Sequence, residues 1–131
     1  MSKVYQHKIK IYYEDTDAGG VVYYANYLKY MERARSEMIC ELLDLSHKDL
    51  KINYDIIFLV RSCNIKYLKS AQFEDYLTIT TKMIKKTSVR LNLIQETKRK
   101  EELLTSAEVE LAVVNNQGKV NKLPLDLLER L

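Results

Sequence analysis

Only one stretch of this chain sustains a helical period, and the residues beyond it run mostly extended. Tyr27, Met31, Ala34, Met38, Leu42 and Leu45 recur at three- and four-residue spacing, while Lys29, Glu32, Arg33, Arg35 and Glu37 fall largely elsewhere. That pattern predicts an amphipathic helix of about five turns. Asn26 is read as a cap near its start. A less regular stretch, "SHKDLKINYD", comes next, and then four extended runs, Ile57 to Leu68, Tyr76 to Ile84, Val89 to Lys98 and Leu103 to Val114. One helix can cover one face of such a sheet, so the other must meet solvent or another copy of the chain. Apolar and polar residues share that second face, which makes a homo-oligomer the more economical solution.

The strands read by alternation. Before the helix, Tyr5, His7, Ile9, Ile11 and Tyr13 share one face, with Lys8, Lys10 and Tyr12 on the other. Leu77, Ile79, Thr81 and Met83 alternate with Tyr76, Thr78, Thr80 and Lys82, and Val89, Leu91 and Leu93 alternate with Arg90, Asn92 and Ile94. Short links between the runs imply antiparallel neighbours. "NNQG" at 115–118 reads as a turn, and "LPLDLLERL" permits a short terminal helix begun near Pro124.

With 131 residues and neither a repeat nor a linker, residues 1–131 are expected to form a single domain. A net charge of +3, with Lys and Glu interspersed, argues against a nucleic-acid partner but leaves room for a local phosphate-binding patch. Cys40 and Cys63 have no zinc spacing and read as reduced thiols. The N-terminus lacks the apolar core of a signal peptide, and no run reaches the length of a membrane span. A cytoplasmic protein without membrane insertion is the expectation.

The chain holds 3 Gly, and two of them sit in "DTDAGG", just before the helix. Counted from Asp15, Gly20 falls where a calcium loop needs glycine. Asn26 then stands where that loop needs a bidentate Glu, Gly19 replaces another donor, and a strand precedes instead of a helix. Neither a Rossmann turn nor a P-loop has this glycine spacing. A plain turn would use Asp and Gly as well. Against that, "VVYYANYL" is strongly apolar, so a carboxylate beside it is expected in perturbed surroundings. The helix N-terminus downstream offers unpaired N–H groups and a positive dipole end to an oxygen gaining charge. Glycines let backbone and substrate approach closely. A carboxylate base or nucleophile next to such a terminus is the equipment for acyl transfer to water.

"YYEDTDAGGVVYYANYLKYMERARSE" resembles the signature of the hotdog-fold acyl-CoA thioesterases, in the 4-hydroxybenzoyl-CoA and tol-pal-associated (YbgC-like) branch. "FLVRSCNIKYLKSAQFEDYLTITTKM" resembles the second strand, connection and third strand of the same family. The resemblance covers essentially the whole chain. It implies an α+β hotdog fold, an antiparallel sheet of about five strands wrapped around one long helix. It also implies dimers whose sheets join, dimers of dimers, and active sites at the dimer interface. The implied activity is hydrolysis of an acyl-CoA thioester to free acid and CoA, without metal or other cofactor. Carried over residue by residue, Asp17 is the catalytic carboxylate, as nucleophile or general base, and the backbone N–H of Tyr24 polarises the thioester carbonyl. Tol-pal-associated members often carry His where this chain has Tyr24; the hydroxybenzoyl branch has Tyr. A non-catalytic acyl-CoA or acyl-carrier-protein binding protein of the same fold is the alternative, and the carboxylate at Asp17 favours the enzyme.

The other candidates are substrate-binding. Gly20 gives close approach. Lys85, Lys86, Thr87 and Ser88 lie between two strands where related enzymes hold CoA phosphates and pantetheine, and cations, hydroxyls and turn amides suit that role. Arg61 interrupts an apolar strand, so it calls for an anion, either a carboxylate or a CoA phosphate. Asp15 reads as a turn residue, Glu32 as the ion-pair partner of Arg33 or Arg35, His7 as structural and His47 as loop surface.

Overall fold

The computed structural model describes residues 3–131. Five strands form one antiparallel sheet: β1 (Val4–Lys10), β2 (Ile57–Tyr67), β3 (Tyr76–Lys86), β4 (Arg90–Arg99) and β5 (Glu102–Val114). Their order is β1-β3-β4-β5-β2, so β1 and β2 are the edges. Three helices accompany them: α1 (Asn26–Leu43), α2 (His47–Tyr54) and α3 (Leu125–Arg130). This is the hotdog arrangement, α1 lying against one face of the sheet.

The helix is held by packing more than by its own propensity. Tyr27, Tyr30, Met31, Ala34, Met38, Ile39 and Leu43 are buried on α1. They meet Leu77 and Ile79 of β3, Leu91 and Leu93 of β4, and Ala107, Val109, Leu111 and Val113 of β5 in one core cluster. Each large apolar side chain so buried contributes about 1.5–3 kcal/mol. The apolar stripe is broader than the spacing suggested: Tyr30, Ile39 and Leu43 join it, while Leu42 and Leu45 are only partly buried. On β3 and β4 the alternation holds, and it also buries Thr81, Gln95 and Thr97 among the hydrocarbons.

Two local readings are corrected. Asn26 does not cap α1, since the N-cap residue is Ala25, in helical conformation and without a side-chain bond. The Asn26 amide instead donates to the backbone oxygen of Asp15 at 2.8 Å. "SHKDLKINYD" is the helix α2, started by a reciprocal cap in which Ser46 Oγ accepts from Asp49 N at 2.9 Å and Ser46 N donates to Asp49 Oδ2 at 3.3 Å.

Candidate active site

The loop from Asp15 to Ala25 is folded by its own polar groups. Residues Tyr13–Asp15 form a 3-10 turn, and Asp15 Oδ2 accepts the N–H of Tyr12 at 2.8 Å. The Asp15 carbonyl accepts from Tyr23 N at 2.9 Å as well as from Asn26. Asp15 is thus spent on structure. Asp17 N donates to Val21 O, and Gly20 N donates to Asp17 O, closing a tight turn. Its two glycines have separate reasons. Gly20 sits at φ +82°, where a side chain is strained. A Cβ on Gly19 would come 3.2 Å from Asp17 Oδ1, the atom that accepts the Gly19 N–H at 2.8 Å.

This turn is docked onto the connection between β2 and β3. Val22 N donates to Ala71 O at 2.9 Å, and Ala71 N donates to the buried hydroxyl of Tyr27 at 3.0 Å. Tyr13 stacks on Phe73, centroids 3.9 Å apart. A chain of edge-on contacts runs from Tyr23 to Tyr24, to Tyr67 on β2, and to Tyr27 on α1. Burial raises the phenols of Tyr27, Tyr30 and Tyr67 above their ordinary range, opposed at Tyr27 by the Ala71 bond and assisted at Tyr30 by the Asp15 carboxylate.

At the head of α1, the N–H groups of Tyr24 and Ala25 have no acceptor among the described residues. Tyr24 is 60% exposed, and Asp17 is exposed too. The apolar surroundings expected for the Asp17 carboxylate are therefore not supplied by its own chain. Asp17, Gly20 and Tyr24 stand together in one loop.

The remaining candidates stand elsewhere. Arg61 is the extra residue of a β-bulge between Val60 and Ser62 and points outward, correcting its reading as a buried cation. Its anion is Glu110, 2.6 Å away. Lys86 Nζ donates to the carbonyls of Leu128 and Leu131 at the end of α3. Thr87 Oγ1 accepts from Arg90 N within the β3–β4 turn, and the Ser88 carbonyl accepts from Leu123 N, tying that turn to the segment before α3. Lys85 has no such partner among the described residues. It lines a groove with Lys3, Lys86 and Arg130 that includes neither Asp17 nor Tyr24. Among the described residues, no three His, Cys, Asp or Glu side chains gather as metal ligands would. No described helix is long and apolar enough to cross a membrane.

A family model, the Thioesterase-like superfamily, matches residues 12–131, the site loop included. The chain belongs to this superfamily. The acyl-CoA thioesterase YbgC of Haemophilus influenzae is 35% identical over 107 residues, 82% of this chain and 78% of that one. A probable thioesterase from Bartonella henselae superposes with a TM-score of 0.88 at 32% identity, covering 93% of this chain and all of that one. A 4-hydroxybenzoyl-CoA thioesterase mutant complexed with 4-hydroxybenzoyl-CoA reaches 0.90 at 19% identity over 97% of each chain, a likeness of fold. Glu32, read from sequence as the ion-pair partner of Arg33 or Arg35, forms no ion pair with either among the described residues. The roles of Tyr67 and Tyr27 around the loop had no sequence signal beyond the abundance of tyrosine.

Proposed function

We propose that this member of the superfamily hydrolyses acyl-CoA thioesters, with Asp17 as the catalytic carboxylate and the Tyr24 N–H as the carbonyl-polarising donor. The observation that carries the reading is the N–H of Tyr24 at the head of α1, without an acceptor among the described residues, in the same loop as a carboxylate held in place by Gly19. The relative in Haemophilus influenzae, an acyl-CoA thioesterase, supports the substrate class. In the reaction the thioester oxygen, drawn to the Tyr24 N–H, gains negative charge as the carbonyl carbon is attacked. Asp17 either takes a proton from the attacking water or attacks first, giving a mixed anhydride that water opens. In both routes the C–S bond breaks and the thiolate of CoA leaves to be protonated. Gly20 keeps the approach open. Lys85 is the cation proposed for CoA phosphates, with Lys86, Thr87 and Ser88 shaping the turn beside it, while Arg61 is held by Glu110.

The exposure of Asp17 supports a second element of the reading, that a partner chain completes the pocket. The edge strand β2 exposes Leu59, Val60 and Tyr67, with Leu68 exposed just after it, and joining two such edges would bring a second copy beside Tyr24. We assign the protein as a homodimer, assembling further as a dimer of dimers, in the cytoplasm.

Thiol release from acyl-CoAs of graded length and an aroyl-CoA tests the function directly. Asp17→Asn is expected to lower kcat/KM by about 10²–10⁴-fold with an unchanged melting temperature. Tight acyl-CoA binding without turnover by the wild type would favour the binding-protein alternative. An unfolded Asp17→Asn protein would make Asp17 a structural turn residue.

A further inference from the structure

Away from the Asp17 loop, a cavity of about 520 Å³ opens where α1 and α2 meet β2 and β5. Its walls are hydrocarbon, with Ile39, Ile56, Phe58 and Leu111 among them. Its polar lining includes a cation, Arg35, that has no ion-pair partner among the described residues. Arg35 is half-buried on α1, and its guanidinium donates to the neutral Gln95 Oε1 at 3.3 Å. No carboxylate oxygen lies within ion-pair distance of it among the described residues. Burial lowers its pKa from the ordinary guanidinium value, opposed by the charge of Glu32.

The arginine is also held in place. Gln95 is fully buried, and its Nε2 donates to Met31 O and Thr81 Oγ1, both at 2.9 Å, which presents its oxygen to Arg35. On the opposite wall, His47 Nε2 lies 3.2 Å from Ser36 O and fixes the first turn of α2 against α1. Lys51, one turn further along α2, brings a second cation without an ion-pair partner among the described residues. Glu32 is the acid of this lining; it is exposed, and its carboxylate accepts the Ser36 hydroxyl. A half-buried guanidinium facing a cavity needs an anion, and the cavity's walls suit an apolar body.

We propose that this cavity binds a carboxylate carried on a compact apolar body, Arg35 taking the carboxylate and Lys51 reinforcing it. The binding goes beyond thioester hydrolysis and does not require it. Two sources have this chemistry: a free organic acid, the class of product that hydrolysis would release, and the far end of an ω-carboxyacyl thioester. Calorimetric titration of the intact protein with hexanoate and benzoate, and with hexanamide and benzamide, tests the first source. The acids are expected to bind saturably and the neutral amides about tenfold or more weaker. Arg35→Met should cost the acids a similar factor, while Asp17→Asn should leave their binding unchanged. Turnover of adipoyl-CoA against hexanoyl-CoA tests the second: a preference for adipoyl-CoA that Arg35→Met abolishes places the carboxylate on the substrate. Acids and amides binding alike, or not at all, with no adipoyl preference, overturns the proposal. If Arg35→Met does not fold, the acid–amide comparison on the wild type decides by itself. Because the titration needs no turnover, its result stands apart from that of the hydrolysis assay.

Discussion

The Tyr27 hydroxyl accepts the Ala71 N–H inside the core, where neither group has water as a substitute. Tyr27→Phe keeps the ring and its contacts with Tyr30 and Tyr67 but strands a buried donor, a loss of about 1–3 kcal/mol. Since Ala71 O also receives Val22 N, the loop carrying Asp17 should loosen with it. The variant is expected to melt at lower temperature, to exchange the Val22 amide faster, and to lose part of any hydrolysis. An unchanged melt and exchange rate would show that the bond does not anchor the loop. Asp17, Gly19 and Gly20 were legible because turn chemistry is local: a carboxylate, a missing Cβ and a positive φ all act within a few residues. Asn26 was not, because its amide reaches back to Asp15, and such a reach depends on how the loop folds.

The outer face of the sheet carries ion pairs whose titration can be followed as a property of the strands. Asn92 and then Arg61 hold the Glu110 carboxyl on β5 below its ordinary value, and Lys69 and then Arg99 do so for Glu102. Depressed carboxylates contribute stability above their unfolded pKa near 4.5 and lose it as pH falls through the folded value. The raised phenols of Tyr27, Tyr30 and Tyr67 have the opposite sign: their contribution is complete below about pH 10 and is lost above it. Melting temperature against pH should therefore fall at both ends, and Glu110→Gln should flatten the acid limb alone. An acid limb identical in the variant would mean these exposed pairs contribute nothing measurable. At this scale the strands and α1 were legible because each repeats its pattern over many residues. Helix α2 was not. It spans 8 residues, buries only Leu50, and so has too little periodicity to read, although its Ser46–Asp49 cap is plain once the helix is seen.

At the scale of the whole molecule, the proposed assembly rests on β2. It pairs with β5 on one side and leaves its other edge uncovered, with Leu59, Val60 and Tyr67 exposed on it and Leu68 exposed just past its end. An edge of that length and apolarity is a template for a second strand. Leu59→Lys combined with Leu68→Lys is expected to convert the proposed dimer to monomer by light scattering and to remove hydrolysis at the same time. A monomeric variant with full activity would show that one chain suffices. By itself the sequence determined the α+β architecture, the antiparallel strands, the single long helix and the Asp17 turn, because periodicity and turn chemistry are written in neighbouring residues. Only the tertiary structure decided that Arg61 is paired and exposed on a bulge, that Lys86 is spent on the end of α3, and that Arg35 faces a cavity with no ion-pair partner among the described residues. The partners in those cases, Glu110, Leu128 and Gln95, lie tens of residues away, and nothing local in the chain records who will meet whom.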